Sequence, residues 1–185
     1  MLKKKDKLIE SNEKGVYTLL PGEYYYSASA ENCGPIIKKF TVEPVKEATP
    51  MEINIEMSKG YDISFKSNAT TKLEVILTNS EGLNIPVNED NTVLLSKGTY
   101  TYKAYADGFE DVEGEFTVED SQTISLEMNR IYDVDWYDEN KTEFTLNTKD
   151  ELVGLAKITG RKTRHIKDNF EGKTIKLGKN IELNS

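Results

Sequence analysis

Two side chains of this 185-residue chain have the chemistry of a nucleophile and a base. Cys33 is its only thiol and His165 its only imidazole, and a catalytic thiol needs a nearby base to remove its proton. Neither residue stands in a catalytic motif, and an internal repeat aligns Cys33 with Phe109, a packing position. Phosphate loops, paired catalytic carboxylates, zinc spacings and nucleophile elbows are also missing from the sequence. We therefore predict no enzyme activity, no catalytic residues and a packing role for Cys33.

An acidic run, YDVDWYDEN at 132–140, has the oxygen ligands that Ca²⁺ prefers. The run lacks the glycine and the distal glutamate of a known calcium loop, and Asp133 and Asp135 are also the outward positions of a predicted strand. A solvated strand face is the main interpretation, and we predict no metal and no cofactor. The weak calcium candidates are Asp133, Asp135, Asp138 and Glu139.

A basic stretch near the end of the chain contrasts with the net charge of −8. Such asymmetry favours either a solvated loop, which is the main interpretation, or a patch for an anionic partner such as wall polymer or acidic glycan. Nucleic acid is not predicted, because the chain is acidic and the stretch has only Phe170 for base stacking. No apolar run is long enough for membrane insertion. The candidate anion patch consists of Arg161, Lys162, Arg164 and Lys167.

The sequence segments that would position these residues occur twice in the chain. Aligning Gly22 with Gly98 matches GEYYYSASA with GTYTYKAYA, and further on FTVE recurs at 40–43 and 116–119. After an insertion in the first copy, EINIEM at 52–57 matches TISLEM at 123–128, and YDISF matches YDVDW. This many matches in one order indicate an internal repeat.

Apolar and polar residues alternate in each matched piece, which is typical of strands with one buried face. Six short strands between 61 and 128, separated by glycine turns, predict a small β-sandwich. The fold class is therefore all-β: tandem small antiparallel β-sandwich modules with a short C-terminal helix plus strand segment. We place a short or truncated module at 1–60, a full module at 61–131 and a C-terminal segment at 132–185.

The first module is incomplete, because only KLIES is strand-like before residue 16. An open sheet edge can pair with another chain, so we expect a weak dimer through that edge. Tyr25 and Tyr105 share the outward face of the repeated strand. They favour an intermodule contact, with a sugar-stacking platform as the alternative. Trp136 aligns with Phe65 and is expected in the core.

The pattern L-x-x-G-x-Y-x-Y-x-A-x-A-x-G-F, then F-T-V, then I-x-L, resembles small β-sandwich repeats of bacterial surface proteins. These are the carboxypeptidase regulatory-like, PEGA and collagen-adhesin B-type modules, with transthyretin-like or immunoglobulin-like folds. The resemblance implies a stalk or spacer, sometimes an adhesive one. Collagen-adhesin modules often carry a Lys–Asn crosslink promoted by a buried acid. Ala28 and Ala104 occupy the corresponding positions here, so we predict no such bond.

The last segment contains FTLNTKDELVGLAKITG, in which Thr148 and Glu151 form a capping box. A helix should follow, with an apolar stripe of Leu152, Leu155, Ala156 and Ile158, and should end at Gly160. Two strands are then expected at Ile175–Leu177 and Ile181–Leu183. Residues 144–183 resemble the entrance of a right-handed parallel β-helix in large surface proteins of Gram-positive bacteria. The resemblance implies that this chain is a fragment of a longer one or the product of a gene cut short.

These resemblances imply a non-catalytic stalk or adhesin segment, extracellular or associated with the cell wall. The alternative is a carbohydrate-binding accessory module of a glycan-active surface protein. The expected partners are the neighbouring domains of a longer chain and a host or cell-wall glycan.

Overall fold

The computed structural model describes residues 1–4, 7–12, 16–45, 47 and 50–183. Strands predominate over one short helix, so the prediction of an all-β protein is confirmed. The chain forms two compact units, and their boundaries fall inside strands. The first unit comprises Met1–Ser64, Ile76–Tyr102 and Gly114–Ile124, and the second comprises Phe65–Val75, Lys103–Glu113 and Ser125–Ser185.

Four strands between residues 2 and 42 form one antiparallel sheet in the order β2-β1-β3-β4. The alternation of β3 places Tyr24 inside the protein, where its ring stacks on Phe40 of β4. A further strand, β1, lies ahead of the predicted KLIES strand, and its Leu2 is also buried. The four strands are β1 (Leu2–Lys4), β2 (Lys7–Ile9), β3 (Gly22–Ala28) and β4 (Ile36–Val42).

Residues 61–126 supply seven strands, one more than the sequence predicted, in two sheets with the orders β10-β9-β6-β7 and β11-β5-β8. Alternate side chains are buried, as the period of two requires, for example Ile63 and Phe65 on β5. The strands are β5 (Tyr61–Ser67), β6 (Glu74–Thr78), β7 (Asn84–Ile85), β8 (Thr92–Leu95), β9 (Gly98–Tyr105), β10 (Val112–Val118) and β11 (Gln122–Leu126).

The four-stranded sheets of the two copies have the same local structure. Leu2 pairs with Ile9 in the first sheet, as Leu77 pairs with Ile85 in the second. The hydroxyl of Tyr24 donates to the carbonyl oxygen four residues earlier at 2.6 Å, and that of Tyr100 does the same at 2.9 Å. The sequence repeat therefore corresponds to a repeated sheet.

The prediction of a strand at EINIEM is wrong. Its counterpart TISLEM contributes to β11 and lies beside β5, whereas residues 52–57 have no strand structure. A strand needs a neighbour for its backbone groups. Among the residues that the structure describes, no strand lies beside 52–57.

The C-terminal segment contains β12 (Glu143–Leu146), α1 (Lys149–Thr159) and β13 (Thr174–Leu177), with β12 and β13 parallel. The predicted capping box of Thr148 and Glu151 is confirmed, and Gly160 ends the helix. The predicted stripe is partly wrong, because Ala156 is exposed and the buried helix residues are Gly154 and Ile158.

Two other predicted strands are absent from this segment. YDVDW is irregular, because its backbone bonds elsewhere: the amide of Tyr132 donates to Gly108 and that of Asp133 to Asp150. Tyr132 and Val134 nevertheless pack with Ile158 in a small core. Residues 181–183 also lack strand structure, and the Leu183 side chain is exposed. No helix within the described ranges is both long and apolar enough to cross a membrane.

Candidate functional site: the turns that join consecutive segments

The turn after β3 binds the segment that leads into β5. Asn32 adopts a positive φ of 57°, and its carbonyl accepts the amide of Gly60 at 2.8 Å. The amide of Gly34 donates to the carbonyl of Ser58 at 3.2 Å. We call this set of bonds the first junction; it brackets an antiparallel bridge between Cys33 and Lys59.

The turn after β9 repeats this arrangement and forms the second junction. Gly108 has a φ of 95°, and its carbonyl accepts the amide of Ile131 at 2.8 Å. The amide of Glu110 donates to Asn129 at 2.8 Å, around a bridge between Phe109 and Arg130. A Cβ at Gly108 would lie 2.8 Å from the carbonyl oxygen of Tyr132, so glycine suits both the φ and the contact.

The second junction contains a buried carboxylate that sequence reasoning missed. Asp107 is 4% exposed and accepts three consecutive backbone amides, from Arg164 at 2.6 Å, His165 at 2.8 Å and Ile166 at 3.1 Å. The Thr71 hydroxyl donates to the Asp107 carbonyl at 2.7 Å. A buried charge needs this number of donors. The ADG string suggested only a turn, and nothing local indicated partners at 164–166.

Two residues predicted separately meet beside this carboxylate. The Arg164 guanidinium lies 3.4 Å from the ring centroid of Tyr105 and 3.4 Å from a carboxylate oxygen of Glu74. His165 Nε2 lies 3.6 Å from the same oxygen. Tyr105 is therefore covered by a cation, as in an intersegment contact.

The other candidates for binding lie apart from this contact. Arg161, Lys162 and Lys167 are exposed. Tyr25 is half-buried on β3, where it pairs in register with Lys3 and Lys39. The structure thus brings only Arg164 of the proposed anion patch together with a tyrosine of the repeated strand.

The acidic run mainly makes contacts within the protein. Asp133 and Asp135 both bind the Arg130 guanidinium, at 3.1 and 2.7 Å. The Asp138 carboxylate accepts the Asn140 amide, and Glu139 is exposed. Across the described part of the chain, no three acidic, histidine or cysteine side chains are grouped as metal ligands.

An aromatic cluster follows the acidic run and positions an ion pair. Trp136, expected in the core, is half-buried and packs its ring against Phe144 and Phe170. The Tyr137 hydroxyl donates to Asp168 at 2.8 Å, and Lys173 Nζ lies 2.6 Å from the same carboxylate oxygen. Burial, with the Asp168 bond, raises the pKa of Tyr137 to about 12. The Lys173 bond outweighs burial and lowers the pKa of Asp168 to about 2.

A groove of about 490 Å³ lies in the second unit. Its surface is mixed polar and apolar: the Asp107 carboxylate in it accepts three backbone amides, and the Thr70 hydroxyl donates to the Asp135 carboxylate at 2.7 Å. Cys33 and His165 belong to different units. The groove is lined by Thr70, Thr71, Lys72, Asp107, Val134, Asp135, Tyr137, His165 and Ile166.

Comparison with known proteins adds no assignment. No family model matches the chain, and no curated protein is significantly similar to it.

Proposed function

We propose that residues 1–185 form a non-catalytic structural segment, a stalk or spacer, of a bacterial cell-surface protein. The observation that carries the proposal is the recurrence of one junction. Both copies use the turn after the repeated strand to bind the segment that follows the copy. Repeated attachment of each segment to the next is what a spacer of defined length requires.

The first junction is reinforced by contacts of the surrounding backbone. A Cβ at Gly34 would lie 2.2 Å from the amide nitrogen of Ser96, so the backbone segments around these two residues approach closely. Asn79 Nδ2 donates to the carbonyl of Ile37 at 2.8 Å. These contacts join the first sheet to strands of the second copy within one compact unit.

The second junction is reinforced by charge. Asp107 holds the 164–166 backbone through three amides, and Arg164 adds the stacking on Tyr105. Hydrogen bonds to an ionised group are stronger than neutral ones, at about 1.5–3 kcal/mol each. The loop that follows α1 is therefore fixed to the turn after β9, which suits a mechanical role in a spacer.

The mechanical part of the proposal is testable by electron–electron distance measurements. Spin labels at the exposed positions Glu23 and Glu89, in a Cys33→Ser background, report on the first unit. We expect one narrow distance distribution. Gly34→Ala should broaden it, because the new Cβ collides with backbone atoms. A broad distribution in the unsubstituted protein would show a flexible tether and contradict the spacer.

Gly172→Ala is the matched control for this experiment. Gly172 has a positive φ, of 71°, which Gly34 lacks, and a Cβ there meets no atom within 4 Å. It belongs to the second unit, so the distribution in the first unit should not change. The surface location is tested separately, with antibodies to this segment on intact cells of the source organism. Labelling only after permeabilisation would contradict it.

A carbohydrate-binding accessory module is the second candidate, and the groove of the second unit favours it. Hydroxyl, imidazole and phenol groups of Thr70, His165 and Tyr137 line one surface, as sugar binding requires. Titration with cell-wall and host glycans, followed by NMR, tests this candidate. Saturable changes in chemical shift, confined to residues of the groove, would support this candidate. Unchanged spectra would exclude it for those glycans.

A further inference from the structure

The two copies differ in their second sheet, and the difference identifies one strand. In the full copy, the sheet order β11-β5-β8 places β5 in the centre. The sequence of β8 also has a counterpart, because VYTLLPG at 16–22 aligns with TVLLSKG at 92–98 when Gly22 meets Gly98. The first copy therefore contains the sequences of both strands that flank β5.

No counterpart of β5 itself occurs in residues 1–60. The pairs Leu2–Ile9 and Leu77–Ile85 show that β1 corresponds to β6, so a counterpart of β5 would precede β1. Both flanking sequences lack strand structure in the first copy. In the full copy, β8 and β11 both bond to the central strand β5, for which the described part of the first copy has no equivalent.

The side chains of the first copy are correspondingly uncovered. Ile55 is 43% exposed, whereas its counterpart Leu126 is 2% exposed. Tyr17 is 37% exposed, whereas its counterpart Val93 is 6% exposed. Exposed apolar residues that are concentrated rather than scattered mark interaction surfaces. The exposed apolar residues of the two flanking sequences are Val16, Tyr17, Leu20, Ile53 and Ile55.

We propose that residues 16–19 and 52–57 together form a strand-accepting site. Its ligand is an extended peptide segment with the alternation of β5, supplied from outside residues 1–185. The peptide would run antiparallel to 16–19, as β5 does to β8. It would run parallel to 52–57, because the contacts of β5 and β11 advance together from Asp62–Ser121 to Asn68–Leu126.

The full copy also specifies the chemistry of the ligand. β5 buries Ile63 and Phe65 and directs Asp62 and Lys66 outward. Main-chain hydrogen bonds would supply affinity and alternate apolar side chains specificity, as in other cases of strand addition. Since Glu52 and Glu56 are both exposed, a cationic residue among the outward positions of the peptide is favoured.

A second copy of this chain fits the site less well. Its β5 already lies between β11 and β8. Pairing of 52–57 with itself, centred on Asn54, would place Glu52 opposite Glu56, and like charges directly opposite each other are destabilising. The site therefore favours a separate segment, and this inference does not depend on the stalk role.

The experiment titrates the full chain into a fluorescent peptide with the sequence of residues 60–68, GYDISFKSN. The control peptide carries Ile63→Ser and Phe65→Ser, which remove the apolar alternation without changing charge. Fluorescence anisotropy measures binding, and hydrogen exchange of 16–19 and 52–57 reports where it occurs. We expect saturable binding of the first peptide and slowed exchange in both segments.

Protein variants test the site itself. Ile53→Ser with Ile55→Ser should weaken binding at least about tenfold. Ile131→Ser, at another exposed isoleucine in the second unit, should leave it unchanged. Three results would each overturn the proposal: no saturation at about 1 mM peptide, equal binding of the control peptide, or peptide-free dimerisation that the double variant abolishes. The last would assign the site to a second copy.

Discussion

Gly154→Ala offers a sharp test of the C-terminal packing, because helix propensity and tertiary contact predict opposite signs. In an exposed helix interior the change would stabilise the protein by about 1 kcal/mol. Here the new Cβ would lie only 1.9 Å from the carbonyl oxygen of Asp133 and 3.1 Å from Val134 Cγ1. The first contact is with backbone, so α1 must move away by about 1 Å to restore a normal separation.

The cost of that movement follows from the core that α1 forms. Tyr132, Val134 and Ile158 pack together there, and a gap of about 1 Å forfeits a quarter to a half of a contact. With about 1.5–3 kcal/mol for each buried side chain, the loss is roughly 2–3 kcal/mol. Subtracting the propensity gain leaves a net destabilisation of roughly 1–2 kcal/mol.

Urea unfolding followed by tryptophan fluorescence measures this difference, because Trp136 is the only tryptophan and packs against the same core. Ala156→Gly is the control: Ala156 is exposed on the same helix, so propensity alone predicts a loss of about 1 kcal/mol. Both variants should therefore be destabilised. A more stable Gly154→Ala protein would refute the close approach of α1 to the Asp133 backbone.

Four further changes test other contacts. Asp107→Asn should cost roughly 2–4 kcal/mol, because an amide cannot accept three backbone N–H groups as an anion does, and hydrogen exchange at 164–166 should accelerate. Asp168, with its lowered pKa, contributes stability that is present above its unfolded pKa of 3.8 and is lost as the pH falls towards about 2. In acid denaturation, the Asp168→Asn variant should not show this decrease in stability. Tyr137, with its raised pKa, contributes stability that is lost between pH 10 and about 12, and Tyr137→Phe should remove that alkaline transition in a pH titration of unfolding. Thr148→Ala should cost about 1 kcal/mol in thermal unfolding, whereas Thr148→Ser should cost little.

Local signals in the sequence were enough for the elements whose stabilising partners are also local. The capping box predicted the start of α1 because Thr148 and Glu151 satisfy each other's backbone within one turn. The repeated strand was predicted from its repeat and its alternation, and its partner is also local, because β4 follows β3 and pairs with it in register. The helix stripe was less accurate: a small residue, Gly154, takes the buried position because Asp133 comes close, which hydrophobicity does not encode.

Features that depend on partners distant in the sequence could not be predicted from local patterns. Asp107 is separated from its amide donors by 57 to 59 residues, so its burial had no local signal. The candidate site was predicted only in its parts, as Tyr105 on one strand and Arg164 in a basic stretch. Their stacking depends on how the loop after α1 is held by Asp107.

EINIEM and TISLEM show that pairing, and not alternation, decides whether a strand forms. Both have the same apolar period, yet only the copy that lies beside β5 has strand structure. The isoleucines of EINIEM are therefore exposed because this segment lacks the neighbouring strand that β11 has, and not because its sequence specifies a different fold. If so, supplying the β5 sequence in trans should order both flanking segments at once, because a central strand satisfies the backbone groups on its two sides together.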